Sequence, residues 1–178
     1  MVTHTQGKVA EEEGIKLGEM VNVGVRKVKK SYFGAARGSG PVTTEDEMKP
    51  TTSYVEDAYA RIEYLDGTPR GERVRDLLED PRSSAVTSPV TLAEIVNKFL
   101  WKGLDPTVAL KAIEDNSTIL QVDTSLAKPA GELHAELRKK ERDFGLADAF
   151  VLATARNKAS KVLTGDPHFE TAPETVLV

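Results

Sequence analysis

From about residue 53 to the C-terminus, short runs with strand character take turns with segments of helical periodicity, and this alternation most narrows the folds open to the chain. Residues 53–56 read as extended and lead into Asp57, after which 58–65 carry helical spacing. Thr68-Pro69-Arg70 has the form of a cap with proline at the first helical position. It opens a helix through about Glu79 that turns Val74, Leu77 and Leu78 inward. A strand is predicted over 85–88. Thr91 then begins a helix with Leu92, Ile95, Val96, Phe99 and Leu100 on one apolar face. Further helices are predicted at 106–115, 126–143 and 147–157, and further strands at 118–122, 161–163 and 175–178. Strands that alternate with helices pair in parallel through crossover connections, so the expected class is α/β with a central parallel sheet.

A Gly-rich stretch of small residues, Gly34-Ala35-Ala36-Arg37-Gly38-Ser39-Gly40-Pro41, marks a boundary. Before it, Val21, Val23 and Val25 alternate with Asn22 and Gly24, the pattern of a half-buried strand. The expected division is 1–47 as a small β or extended appendage with its linker, and 48–178 as the main domain. A chain of 178 residues holds one well-cored domain and an appendage. The absence of cysteine excludes disulfides, thiolate catalysis and Cys-based zinc sites, so any metal must sit on oxygen or imidazole. No apolar run approaches bilayer length and the N-terminus lacks the apolar core of a signal peptide. The expectation is a cytoplasmic protein with no membrane partner. A net charge of −4 speaks against a polycationic nucleic-acid coat, yet leaves room for a nuclease with a local basic patch.

Four acids fall where alternating α/β sheets place ligands. Asp57 and Asp166 follow strand-like segments directly, Glu94 lies in the first turns of a helix after a strand, and Asp148 opens the apolar helix Ala147-Asp148-Ala149-Phe150-Val151-Leu152-Ala153-Thr154-Ala155. Gathered on one sheet edge, they would repel one another and some of their pKa values would rise; a divalent cation removes that conflict. Oxygen ligands without cysteine suit Mg²⁺ or Mn²⁺, and such ions serve phosphodiester hydrolysis. Taken singly, each acid also has an ordinary explanation: a helix-start acid caps or meets the dipole, and Asp166 before Pro167 suits a turn.

The run 146–155, followed by Val162-Leu163-Thr164-Gly165-Asp166-Pro167-His168-Phe169, resembles the signature of VapC-type PIN-domain toxins. Thr91-Leu92-Ala93-Glu94-Ile95 resembles that family's second acidic motif, and Asp57-Ala58-Tyr59-Ala60 its first. The resemblance spans 48–178. It implies a three-layer α/β/α sandwich, Mg²⁺ or Mn²⁺ dependence, RNA as substrate and a homodimer. Position by position, Asp57, Glu94, Asp148 and Asp166 match the catalytic and metal-holding acids, while Thr164 matches the hydroxyl that supports the site and meets substrate. Two positions depart: Glu56 and Arg61 stand where the family carries apolar residues. Either the two pair with each other or with another acid, or the first strand is displaced and Asp57 misses the metal.

The N-terminal piece resembles the C-terminal half of an AbrB-like VapB antitoxin, through Gly14-Ile15-Lys16-Leu17-Gly18-Glu19-Met20-Val21-Asn22-Val23, Lys30-Ser31-Tyr32-Phe33-Gly34 and Gly38-Ser39-Gly40-Pro41-Val42-Thr43-Thr44-Glu45-Asp46. Met48 sits where a separate toxin would start. The partner is therefore expected to be a cognate antitoxin or the chain's own N-terminal segment, with Tyr32 and Phe33 anchored in a groove and Arg37 approaching the acids to restrain the nuclease. The other readings are a catalytically silent or self-complexed binding module, and a structure-selective DNA nuclease. Arg138, Lys139, Lys140, Arg142, Lys98, Lys102, Arg156 and Lys158 are candidate phosphate contacts, otherwise solvated helix faces. Arg26, Lys27, Lys29 and Lys30 read as a solvated hairpin edge. His134 and His168 lack metal-ligand spacing and read as structural, His168 lying near the site.

Overall fold

The computed structural model describes residues 27–38, 42–46 and 52–178; the strand expected at 21–25 lies outside them. In chain order the elements are β1 (Lys27–Ser31), a 3-10 turn (Ala35–Arg37), β2 (Val42–Asp46), β3 (Thr52–Glu56), α1 (Ala58–Asp66), α2 (Pro69–Leu78) and β4 (Ser83–Thr87). Then follow α3 (Pro89–Trp101), α4 (Thr107–Asn116), β5 (Ser117–Ile119), α5 (Thr124–Leu137), α6 (Leu146–Asn157), β6 (Lys161–Thr164), a 3-10 turn (Pro167–Phe169) and β7 (Thr175–Leu177). Strands β5-β4-β3-β6-β7 form one wholly parallel sheet in that order. β1 and β2 form a separate antiparallel hairpin with Lys27 opposite Asp46.

The period of two along a strand sorts side chains into two layers. Tyr54, Ala85 and Leu163 join α1 to α4 in one apolar cluster, whereas Val55 and Val162 face a second cluster with α6, Phe144 and Phe169. The expected α/β/α sandwich is thereby built, with α5 laid over α6 through Leu126, Ala130 and Ala153. No helix among the described residues is long and apolar enough to cross a membrane.

Local chemistry explains the element ends. Thr68 accepts the amide of Gly71 and precedes Pro69, as its sequence suggests. Ser88 accepts the amide of Val90, which starts α3 at Pro89, two residues before Thr91. The helix expected to run to 143 stops at Leu137, because Phe144 must leave the helix axis to reach Phe169, 5.8 Å away ring to ring. Strand β5 is shorter than expected, ending at the partly exposed Ile119 on the sheet edge.

Glu56 and Arg61 pair with each other. Both are buried, at 0% and 1% exposure. The Arg61 guanidinium meets the Glu56 carboxylate and donates to Ser117 Oγ at 2.9 Å, and Ser117 Oγ donates to Glu56 Oε1 at 2.9 Å. The Arg61 guanidinium also lies 5.4 Å from the Tyr64 ring centre. Breaking such a pair from one side strands the other charge in an apolar interior, which costs far more than the pair contributes. Arg61→Ala should therefore lower unfolding free energy by about 3–5 kcal/mol in urea titration, while Glu56→Leu combined with Arg61→Met should cost much less.

Candidate metal centre

The carboxyl edge of the sheet gathers the residues expected from the sequence. Asp57 caps α1 where β3 ends, Thr164 ends the neighbouring β6, and Glu94 stands in the second turn of α3, which leaves β4 on the other side. Asp148 lies in the first turn of α6, and Asp166 caps the turn after β6.

Asp57 is the buried centre of this edge. Its carboxylate accepts the amides of Ala58 (2.7 Å) and Tyr59 (3.3 Å) and the hydroxyl of Thr164 (2.8 Å). Thr164 Oγ1 accepts in turn from the Asp166 amide at 2.9 Å, so one hydroxyl ties two of the acids together. Asp148 accepts the Gly145 amide at 2.8 Å, and a Cβ on Gly145 would stand 2.9 Å from that carboxylate oxygen. Asp166 accepts the His168 amide and meets its Nδ1, each at 2.9 Å. Gly165 is required by contact: a Cβ there would come within 2.2 Å of the Tyr59 ring.

Burial is the first cause of every resolved shift among these acids. It raises Asp57 above the usual carboxylate range against the hydrogen bonds from Thr164, Ala58 and Tyr59. Glu94 is pushed up to about 7, by burial and then by the negative charges of Asp57 and Asp148, with Lys98 opposing. Asp148 is raised by burial and by Asp57 and Asp166, while Gly145 and His168 oppose. The four acids thus share one electrostatic field. Asp57, Asp148 and Asp166 are nonetheless held by donors of their own, and among the described residues no three His, Asp or Glu side chains close into a ready ligand shell.

The donor set fits a hard divalent cation. It offers oxygen only, and Glu94 Oε2 is buried without a hydrogen-bond partner, an orphan that a cation would satisfy. Lys98, one helical turn beyond Glu94 and acting on both Glu94 and Asp57, is the cation the sequence left among surface charges; its i,i+4 spacing from Glu94 was the available signal. His134 belongs to α5 and is not among the groups that most shift these acids.

Tyr32 and Phe33 do anchor in a groove, at the opposite end of α1. The Tyr32 amide donates to Tyr64 Oη (2.6 Å), the Gly34 amide to Tyr64 O (3.0 Å), and Tyr32 Oη to Asp115. Asn116 grips the Lys30 backbone from both sides, and the Phe33 ring lies against Tyr64 and under Arg75. The 3-10 turn packs on α1 and α4, leaving Arg37 exposed and not among the charges that most act on the acids. The expected approach of Arg37 to the carboxylates is not made within one chain, because the groove lies at the amino edge of the sheet.

The raised acids set a pH dependence. Their folded values exceed the unfolded ones, so the native state holds protons that the unfolded chain has already released between about pH 4.5 and pH 7. Stability of the metal-free chain should rise as pH falls through that window. The melting temperature should be a few degrees higher at about pH 5.5 than at about pH 8, and added Mg²⁺ should raise it more at the higher pH.

The family model of the PIN domain matches residues 54–174, which takes in all four acids. Among solved structures the fold is similar to DNA-bound VapBC from Salmonella typhimurium, at 25% identity over 72% of this chain and 98% of that one, TM-score 0.55. It is also similar to VapBC2 from Rickettsia felis, bound to a DNA fragment from the promoter, at 17% identity over 71% and 98%, TM-score 0.56. A third similar structure is VapC20 from Mycobacterium tuberculosis, described as a Sarcin-Ricin loop cleaving toxin, at 20% identity over 67% and 95%, TM-score 0.54. No curated protein sequence gives a significant match. A parallel sheet in this order, with acids at its carboxyl edge and the family model spanning most of the chain, identifies the protein as a member of the PIN-domain family.

Proposed function

We propose that the chain is a Mg²⁺- or Mn²⁺-dependent endoribonuclease of the toxin type, acting in the cytoplasm, with 48–178 as its catalytic unit and 1–47 as an antitoxin-like segment. The observation that carries this reading is the buried Asp57 carboxylate, joined through Thr164 to Asp166 and sharing its field with Glu94 and Asp148. The Sarcin-Ricin loop cleaving toxin and the VapBC structures among similar proteins support it. Asp57, Glu94, Asp148 and Asp166 would hold the cation. When bound, that ion supplies Lewis-acid polarisation of a scissile phosphate and lowers the pKa of water.

The chain's own groups do the rest. Thr164 fixes the Asp57 rotamer and so the direction its free lone pairs face. Glu94, whose proton affinity is raised by burial and by Asp57 and Asp148 in the metal-free chain, gives up that proton to take the cation. Lys98 places a positive charge beside the acids, where a phosphate backbone would otherwise be repelled. RNA is favoured over DNA as substrate by family likeness, and the sequence cleaved is set by single-strand shape.

A second reading, a catalytically silent self-complexed module, is favoured by the buried Tyr32 and Ala35, which fill a docking groove with the chain's own segment. One assay separates the two. Purified full chain with Mg²⁺ or Mn²⁺ should cleave single-stranded RNA faster than DNA. EDTA should abolish cleavage, and Asp148→Asn should lower it by at least about a hundredfold. Equal cleavage by Asp148→Asn, or persistence in EDTA, would sink the metal mechanism; no cleavage by the native chain would leave the silent module.

The homodimer has a candidate surface. Leu100, Trp101, Leu104 and Val108 are exposed together where α3 turns into α4, with Trp101 90% exposed. Large aromatic side chains dominate interface energetics, and a second copy of this corner would cover them. Light scattering at micromolar concentration should show a dimer for the native chain and a monomer for Trp101→Glu.

A further inference from the structure

Among the described residues, four buried side-chain atoms without a hydrogen-bond partner belong to two neighbouring corners of the fold: Arg61 Nε, Thr87 Oγ1, Thr91 Oγ1 and Glu94 Oε2, beside the ion-paired Glu56 carboxylate. Native interiors leave few such atoms dry, so their concentration in one place needs a cause. The sheet register supplies the adjacency. Val55 pairs with Val86, and the next residues of these parallel strands, Glu56 and Thr87, are therefore side by side. Both point to the layer of Tyr54 and Ala85. Thr91 shares its buried helix face with Ile95 and Phe99, which belong to that same layer. Two hydroxyls, one from β4 and one from α3, thus belong to the same layer as the Glu56–Arg61 pair. Thr87 is 1% exposed and Thr91 0% exposed, so bulk solvent does not satisfy them.

We propose that Glu56, Arg61, Thr87 and Thr91 enclose a site for ordered water behind the carboxylates, and that this water-bridged network positions Asp57 and Glu94 for the cation. The inference rests on the metal-centre reading and deepens it. A buried water requires two to four polar partners, which the carboxylate, the guanidinium Nε and two hydroxyls provide. Its mechanical effect follows from chain adjacency. Asp57 lies between Glu56 and Arg61 at the start of α1, and Glu94 lies one turn beyond Thr91 on α3. A network spanning both corners fixes two carboxylates whose charges push each other apart. None of the four network residues touches the cation, so they are positioning residues. The pair Glu56 and Arg61, where the family carries apolar residues, then has a use beyond stability.

Isosteric substitution tests this on the full chain. Thr87→Val and Thr91→Val keep side-chain volume and remove the hydroxyl. If the hydroxyls were simply unpaired, valine would leave stability equal or higher and Mn²⁺ affinity unchanged, since a dry buried polar group is costly. The network instead predicts about tenfold weaker Mn²⁺ binding in each valine variant, read by electron paramagnetic resonance of free Mn²⁺. Thr87→Ser should stay within about twofold of native, because it keeps the oxygen. Water relaxation dispersion should count fewer long-lived internal waters in the double valine variant than in the native chain. Unchanged Mn²⁺ affinity in both valine variants overturns the proposal. Should the native chain bind no Mn²⁺, the metal-centre reading falls by itself, and an equal count of internal waters in native and double variant then overturns the water site.

Discussion

Two buried carboxylates stand next to each other at the end of β3, and the arrangement around them follows from the need to compensate both. Strand alternation sends Glu56 and Asp57 different ways. Glu56 goes into the apolar layer of α1 to α4, where only a cation and donors can keep it charged; Arg61 and Ser117 supply these. Asp57 turns to the carboxyl edge, where the first amides of α1 and the Thr164 hydroxyl hold it. Because Arg61 belongs to α1 and Ser117 to β5, one charge pair ties the central strand, its crossover helix and the sheet edge together. The helix that Asp57 caps is thus held from both ends of its first turns.

The same helix connects the two edges of the sheet. At its C-terminal end Tyr64 receives the amides of Tyr32 and Gly34, and Gly67, at φ 62°, lies so close to Gly34 that a Cβ would fall 2.9 Å from its Cα. The N-terminal segment therefore docks far along α1 from the acids. Within one chain, Arg37 in the described part of that segment is not laid over the carboxylates, and α1 is the element that these described residues share with the site. A rigid helix of nine residues is a suitable carrier for an influence of one on the other.

The edge itself is a compromise between charge and burial. Backbone amides and the Thr164 hydroxyl hold Asp57, Asp148 and Asp166 in place, while burial and the neighbouring charges surface as raised proton affinity, most plainly in Glu94 near pH 7. Such displaced proton affinities concentrate where a chain does chemistry. Lys98 offsets part of the field on both Asp57 and Glu94 without cancelling it.

The sequence by itself determined the order and kind of the elements, because periodicity and caps such as Thr68-Pro69 act within a few residues. It also determined which acids reach the carboxyl edge, since an acid after a parallel strand or at a crossover helix start has nowhere else to go. It left the fate of Glu56 and Arg61 open, because pairing depends on Ser117, which is 61 residues from Glu56 in the chain. Tertiary structure alone decided that Phe144 would stop the helix at Leu137. It alone placed Tyr32 at the amino edge, and it alone brought Thr87 and Thr91 into the layer of a buried ion pair. Those outcomes are set by which distant surfaces meet on packing, and a linear pattern of local preferences carries no term for that.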